Sequence, residues 1–179
     1  MPFHHDREYL HGGPAQLEGG RLRRYGRSRH DAGALFFAEN TREGRLYAAR
    51  YAFALQVPPA VWRVRIHLTT SQVFDFARGD HRYRLAHVMS PYAWQSISAS
   101  AYETGQLDWA YVDEEQMREA DFLGALLLER SAGHLGRRAV YSVAVFDAAN
   151  VEIVGRLDDA TMAGLARALA AIDRRGPRP

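Results

Sequence analysis

The sequence predicts an α+β domain, and three observations carry that reading. Short apolar stretches with a period of two stand beside amphipathic stretches with a period near 3.6. Helix-capping signals recur at separate points along the chain. The two kinds of segment do not alternate as regular βαβ units, which sets aside a doubly wound parallel sheet. The expected inventory is about six strands and three or four helices. A chain of 179 residues, 47% apolar and 25% charged, suits one soluble domain with a real core. That domain is expected over residues 1–173, with "RRGPRP" (174–179) as a disordered tail.

The elements follow in chain order. Glu8-Tyr9-Leu10-His11 reads as a short strand, and Gly12-Gly13-Pro14 should stop it. Residues 19–33, rich in Gly and Arg, read as a surface loop. "GALFFA" (33–38) is a short buried strand. A helix follows, with Asn40 and Glu43 at capping-box spacing and a face through Leu46, Tyr47, Arg50, Tyr51 and Ala54, closed by Pro58-Pro59. In "VWRVRIHL", Trp62, Val64, Ile66 and Leu68 alternate with Arg63, Arg65 and His67, so a half-buried strand is expected. "QVFDF" continues this region after a turn, and His81 and His87 are expected at the surface beside a loop.

Ser90 as cap and Pro91 at the first helical position start the next helix, whose buried face is Trp94, Ile97 and Ala101. Asp113 and Gln116 mark the start of a further short helix. "LGALLLER" is apolar on both faces, as a central strand must be, and "AVYSVAVFD" also reads as buried. The last helix, "LDDATMAGLARALAAIDRR", lines Met162, Leu165, Leu169 and Ile172 along one side.

Composition excludes several classes of function. Without cysteine there are no disulfides and no thiolate metal sites, which fits a reducing, cytoplasmic setting. No apolar run reaches the ~20 residues of a membrane helix, and the N-terminus does not read as a signal peptide. All 23 basic residues are arginines, yet the net charge is only +2, too little to define a nucleic-acid binder. Arg21, Arg23, Arg24, Arg27 and Arg29 form a local basic cluster, either a solvated loop or a contact for an anionic partner. Phosphate-loop, dinucleotide-fingerprint, nucleophile-elbow and zinc-protease motifs are all missing. "HHD" (4–6) lies in a terminal segment, and no metal site is expected.

The motif that remains is "YLHGGPAQLEGGRLRR", which resembles the first motif of the ADP-ribosyltransferase superfamily, a strand ending in His-Gly-Thr. The similarity is closest to the small rifampin ADP-ribosyltransferases and extends to toxin-type and polyvalent-protein members, bacterial or phage. "GALFFAENTREGRLYAARYA" resembles the second motif, an aromatic-Phe strand followed by a helix. "LGALLLER" and "AVYSVAVFDAANVEIVG" resemble the final paired strands of the toxin-like branch.

The resemblance implies a split β-sheet core with flanking helices and NAD held between two small sheets. His11, Gly12 and Gly13 would then hold NAD, Phe36 would stack on the nicotinamide, and Tyr47 or Tyr51 would assist from the helix. Arg23 and Arg24 are candidates for the pyrophosphate. The chain departs from the family at Gly13 for Thr or Ser, at Phe36 for Tyr, and at Leu123-Gly124 for Asp-Gly. The family glutamate falls near Ser142, so the acid must come from elsewhere, with Glu129 first and Asp80 and Asp75 next. The implied reaction transfers ADP-ribose from NAD to a protein, nucleic-acid or small-molecule acceptor and releases nicotinamide. An inactive binding module and an NAD glycohydrolase are the alternatives. An effector of this kind would act in the cytoplasm of a target cell.

Overall fold

The alternation in "VWRVRIHL" is where the architecture begins. In the computed structural model, which describes residues 3–22, 34–107, 113–129 and 140–175, Val64, Ile66 and Leu68 are buried while Arg65 and His67 face solvent. Seven strands form one mixed sheet among the described residues. They are β1 (Glu8–Pro14), β2 (Leu35–Glu39), β3 (Pro59–Ile66), β4 (Val73–Phe74), β5 (Gly124–Glu129), β6 (Val140–Val145) and β7 (Val151–Arg156), in the order β4-β5-β6-β2-β1-β3-β7. Only β4 and β5 run parallel. Their crossover carries α2 (Gly79–Val88), α3 (Pro91–Thr104) and α4 (Glu114–Glu119), while α1 (Arg42–Phe53) joins β2 to β3 and α5 (Asp159–Arg175) ends the described chain. The α+β expectation holds.

Register assigns the faces. Leu127, Ser142, Ala38, Leu10 and Arg63 stand opposite one another in a single row across β5, β6, β2, β1 and β3. Neighbours in a row share a face, so Leu127, Ser142, Ala38 and Leu10 lie on one side. All five helices pack there, in two clusters. One gathers Phe74, Leu85, Met89, Ile97, Met117 and Leu127, and the other Leu10, Leu46, Ala49, Val61, Met162 and Leu169. The opposite face buries Tyr9, Phe37, Val64, Ile66 and Val143 beneath Phe3, Leu17 and Leu22.

The sheet has a weak middle. The β1–β2 ladder consists of Tyr9 with Glu39 and Leu10 with Ala38, whereas β1 pairs with β3 over seven residues. The half β4-β5-β6-β2 and the half β1-β3-β7 therefore meet along a short seam.

Several local expectations are corrected. The strand does not stop at His11 but runs through Gly12 and Gly13 to Pro14, which stands opposite Pro59. Gly12 is a packing requirement, because a Cβ there would lie 2.0 Å from the Ala48 carbonyl oxygen of α1. The cap of α1 is Thr41, not Asn40, and its hydroxyl accepts from Gly44 N–H at 3.1 Å. Residues 79–88 form a helix where a loop was expected, and they bury His81 completely, while His87 is exposed as expected. Polar and charged residues fill most of α2, which hides its period. α5 continues to Arg175, two residues past the expected domain boundary. The caps at Ser90 and Asp113 and the buried faces of α3 and α5 are as read from sequence.

Neighbouring glycines in β1 should respond differently to substitution. Gly12→Ala drives a methyl group into helix backbone and is expected to cost about 3 kcal/mol or more, the upper end for overpacking. At Gly13 a Cβ would sit 3.6 Å from the His11 ring and 3.8 Å from Trp62, ordinary contact. Gly13→Ala is therefore expected to stay within about 1 kcal/mol of wild type. Denaturant midpoints at constant slope measure both.

Candidate functional site

Where the β1–β2 ladder ends, a side chain takes over. The imidazole Nδ1 of His11 lies 2.8 Å from the carbonyl oxygen of Phe36 across the seam. A carbonyl only accepts, so Nδ1 carries the proton, and Nε2 is the acceptor position of the neutral ring. The ring is 7% exposed, lies 5.4 Å from the Phe37 ring, and has its Cδ2–Nε2 edge toward Gly13. Trp62 Nε1 donates to Pro14 O at 2.9 Å, and Ala15 N donates to Pro58 O at 2.8 Å, so the far end of β1 is tied to β3.

Phe36 is joined to His11 through its backbone, but its ring lies on the other face. It is half-buried against the cluster that contains Phe76 and Trp94, while Phe37 packs with Tyr9 and Val143 on the His11 side. Sequence reading could not separate the two phenylalanines, because which of two consecutive strand residues faces which layer depends on register.

The helix face of the seam is lined from α1. Ala48 and Ala52 meet Gly12, and Leu46 and Ala49 pack in the cluster shared with α5. Tyr47 and Tyr51 precede Ala48 and Ala52 by one residue each, so they fall on the flank of α1 away from Leu46 and Ala49. Their rings meet edge to face at 4.9 Å, their hydroxyls are 3.3 Å apart, and Tyr51 is 52% exposed. On the other flank Arg50 donates to Asp173 of α5 at 3.3 Å.

The three candidate acids lie apart from this seam. Asp75 is buried just after β4, and its Oδ1 accepts from Gln106 Nε2 and from Ala77 N, both at 2.9 Å. Asp80 is exposed and bound to Arg78 at 2.7 Å, and that hydrogen bond chiefly holds its carboxyl below the usual range. Both sit at the β4 edge, four strand steps from β1, or roughly 19 Å. Glu129 ends β5 opposite Val140, two residues beyond the Leu127–Ser142 row. Gly12 lies two residues beyond the same row in the other direction, so Glu129 is about 13 Å along and 14 Å across from it by register. Ser142 is fully buried in that central row, two strands from Leu10.

Arg23 and Arg24, with Arg27 and Arg29, lie outside the described residues, and so does most of the 19–33 loop. Of the "HHD" segment, His5 and Asp6 pair at 3.5 Å on the surface. His67 is exposed, as expected, and bonded to Glu152 at 3.1 Å. Sequence reading missed the connecting role of His11, although its only signal, a histidine beside glycines, was noticed. Among the described residues, no helix is long and apolar enough to cross a membrane. No family model, curated protein or solved structure matches the chain.

His11→Ala should weaken the seam. It removes the Nδ1 link to the Phe36 carbonyl, and a loss of about 1–3 kcal/mol is expected. Amide exchange at Tyr9, Leu10 and Ala38 should rise more than exchange in the β5–β6 ladder. Equal change in both ladders would show that His11 does not hold the seam.

Proposed function

We propose that the chain is an ADP-ribosyltransferase-like protein that binds NAD at the β1–β2 seam and transfers ADP-ribose to a nucleophilic acceptor. The observation that carries this reading is the pair of half-sheets joined by two residue pairs and the His11–Phe36 hydrogen bond. A cleft between two small sheets, edged by a His-Gly strand, is what the resemblance of the first motif implies.

The fit to NAD is uneven and instructive. The face of Gly12 toward α1 is filled by Ala48, so a ligand reaches this glycine along the strand edge, not over its Cα. The backbone of residues 12–13 would pair with the nicotinamide amide, and His11, held by Phe36, would present Nε2 to a ribose hydroxyl. Stacking is better served by Tyr47 with Tyr51 than by Phe36, whose ring is engaged with the α2–α3 cluster. When bound, NAD supplies an activated ribose whose bond to nicotinamide breaks as the acceptor attacks. A carboxylate beside the departing nicotinamide would stabilise the positive charge that develops on the sugar. Asp75 and Asp80 are committed to Gln106 and Arg78, and Glu129 lies about 13 Å along and 14 Å across from Gly12 by register, so none of the three candidate acids stands beside a nicotinamide paired with residues 12–13.

One observation favours a second reading. A serine, not a carboxylate, occupies the central row two strands from β1, as in a module that binds NAD without turning it over.

Titration calorimetry with NAD tests the site, and nicotinamide release with and without cell lysate tests the reaction. His11→Ala and Tyr47→Ala are each expected to weaken NAD binding by about 1–3 kcal/mol. Glu129→Gln, Asp75→Asn and Asp80→Asn test the acid: the variant of the carboxylate that serves should leave affinity nearly intact and lower turnover by about 10²–10³-fold, and normal turnover in all three would remove them as candidates. Binding without nicotinamide release would select the module, and no binding would reject the assignment.

A further inference from the structure

His81 belongs to none of the machinery above. It is fully buried on α2, with the Phe74 ring of β4 at 6.2 Å and the Phe122 ring of the α4–β5 turn at 5.0 Å. The backbone N–H of Asp75 donates to its Nδ1 at 3.0 Å. That nitrogen is therefore unprotonated, and the neutral ring carries its proton on Nε2. Nε2 is buried without a hydrogen-bond partner among the described residues. The Asp80 carboxylate is 3.8 Å from it but is held by Arg78.

A second proton has one place to go. It must enter at Nδ1, directly into the Asp75 N–H, so protonation replaces a hydrogen bond with two opposed donors. The imidazolium would also sit fully buried between two aromatic rings, out of contact with bulk solvent. Arg78 and Arg84 oppose the charge, and Asp80 and Asp75 favour it. Burial is the largest influence and, with Arg78 and Arg84, holds the ring below the usual histidine range against Asp80 and Asp75. From the sheet and from the α4–β5 turn the ring meets Phe74 and Phe122, neither of them charged.

The element next to this bond has a short strand ladder and is otherwise held by side-chain packing and by the Gln106 and Arg82 hydrogen bonds. β4 is two residues long, lies at the sheet edge, and pairs only as Val73 with Gly124 and Phe74 with Ala125. We propose that His81 is an acid-sensitive latch: protonation at Nδ1 breaks the Asp75 bond and frees β4 and α2 from the sheet edge, while the β1-β3-β7 half stays folded. Opening would expose the apolar surface of Phe74, Phe122 and Leu85. The sign follows from the lowered folded-state pKa. The unfolded chain takes up the proton more readily, so the latch is fully closed above about pH 6.5 and loses stability as pH falls below it.

Hydrogen exchange of the full chain at about pH 7.5 and about pH 5, corrected for intrinsic rates, tests the latch. Residues 73–89 are expected to lose protection by about tenfold or more at the lower pH, with 8–14 and 59–66 unchanged. In His81→Asn an amide oxygen can still accept from Asp75 N–H but cannot titrate, so protection should persist at the lower pH. Nitrogen-resolved NMR of the wild-type imidazole gives an arm that does not depend on the variant folding. It should report the Nε2–H form at neutral pH, and its titration should coincide with the loss of protection. A Nδ1–H form, a uniform loss across the chain, unchanged protection at both pH values, or an equally acid-labile His81→Asn would each overturn the proposal.

Discussion

Helix α1 can dock on the sheet only because Gly12 has no side chain, and most of the geometry around the seam follows from that contact. The Ala48 carbonyl occupies the space a Cβ would need. Gly44 repeats the device in the first turn of the helix, where a Cβ would lie 1.8 Å from the Glu39 carbonyl oxygen. With two close approaches of backbone to backbone, α1 is fixed in distance and rotation against β1 and β2. Its alanine-rich underside then fits the strand, its Leu46 and Ala49 side meets α5, and Tyr47 and Tyr51 pair on the other flank.

The seam itself is a compromise between continuity and separation. Two backbone pairs and one imidazole bridge hold two half-sheets that are each laced by longer ladders, seven residue pairs for β1 with β3 and six for β5 with β6. The same economy appears at the sheet edge, where β4 is short and Leu107 extends its line through a single bridge to Leu127. There the packing of α2 and α3 over Phe74 and Phe122, not strand pairing, does most of the holding.

Much of this was legible in the residues. The alternation in β3 named Val64, Ile66 and Leu68 as buried but not Val61, Ser90-Pro91 and Asp113 marked two helix starts, and the apolar run at 124–128 marked an interior strand. Each of these signals is local: a cap is satisfied by its own first turn, and a strand's period is written in consecutive residues. The α2 helix escaped because Asp80, Arg82, Tyr83, Arg84 and His87 dilute its apolar period, and its buried histidine is a polar residue on the inner face.

The sequence by itself therefore determined the α+β class, most elements, and the unusual histidine-glycine stretch, since periodicity, caps and composition are properties of neighbours along the chain. Tertiary structure alone decided that His11 bridges to Phe36, that the Phe36 ring turns away from it, and that Gly12 serves helix packing. It also decided that Asp75 and Asp80 lie at the opposite edge from β1. The reason is common to all four. Each depends on strand order and register between segments far apart in sequence, and a slip of one residue in register would carry a strand's side chains to the other face.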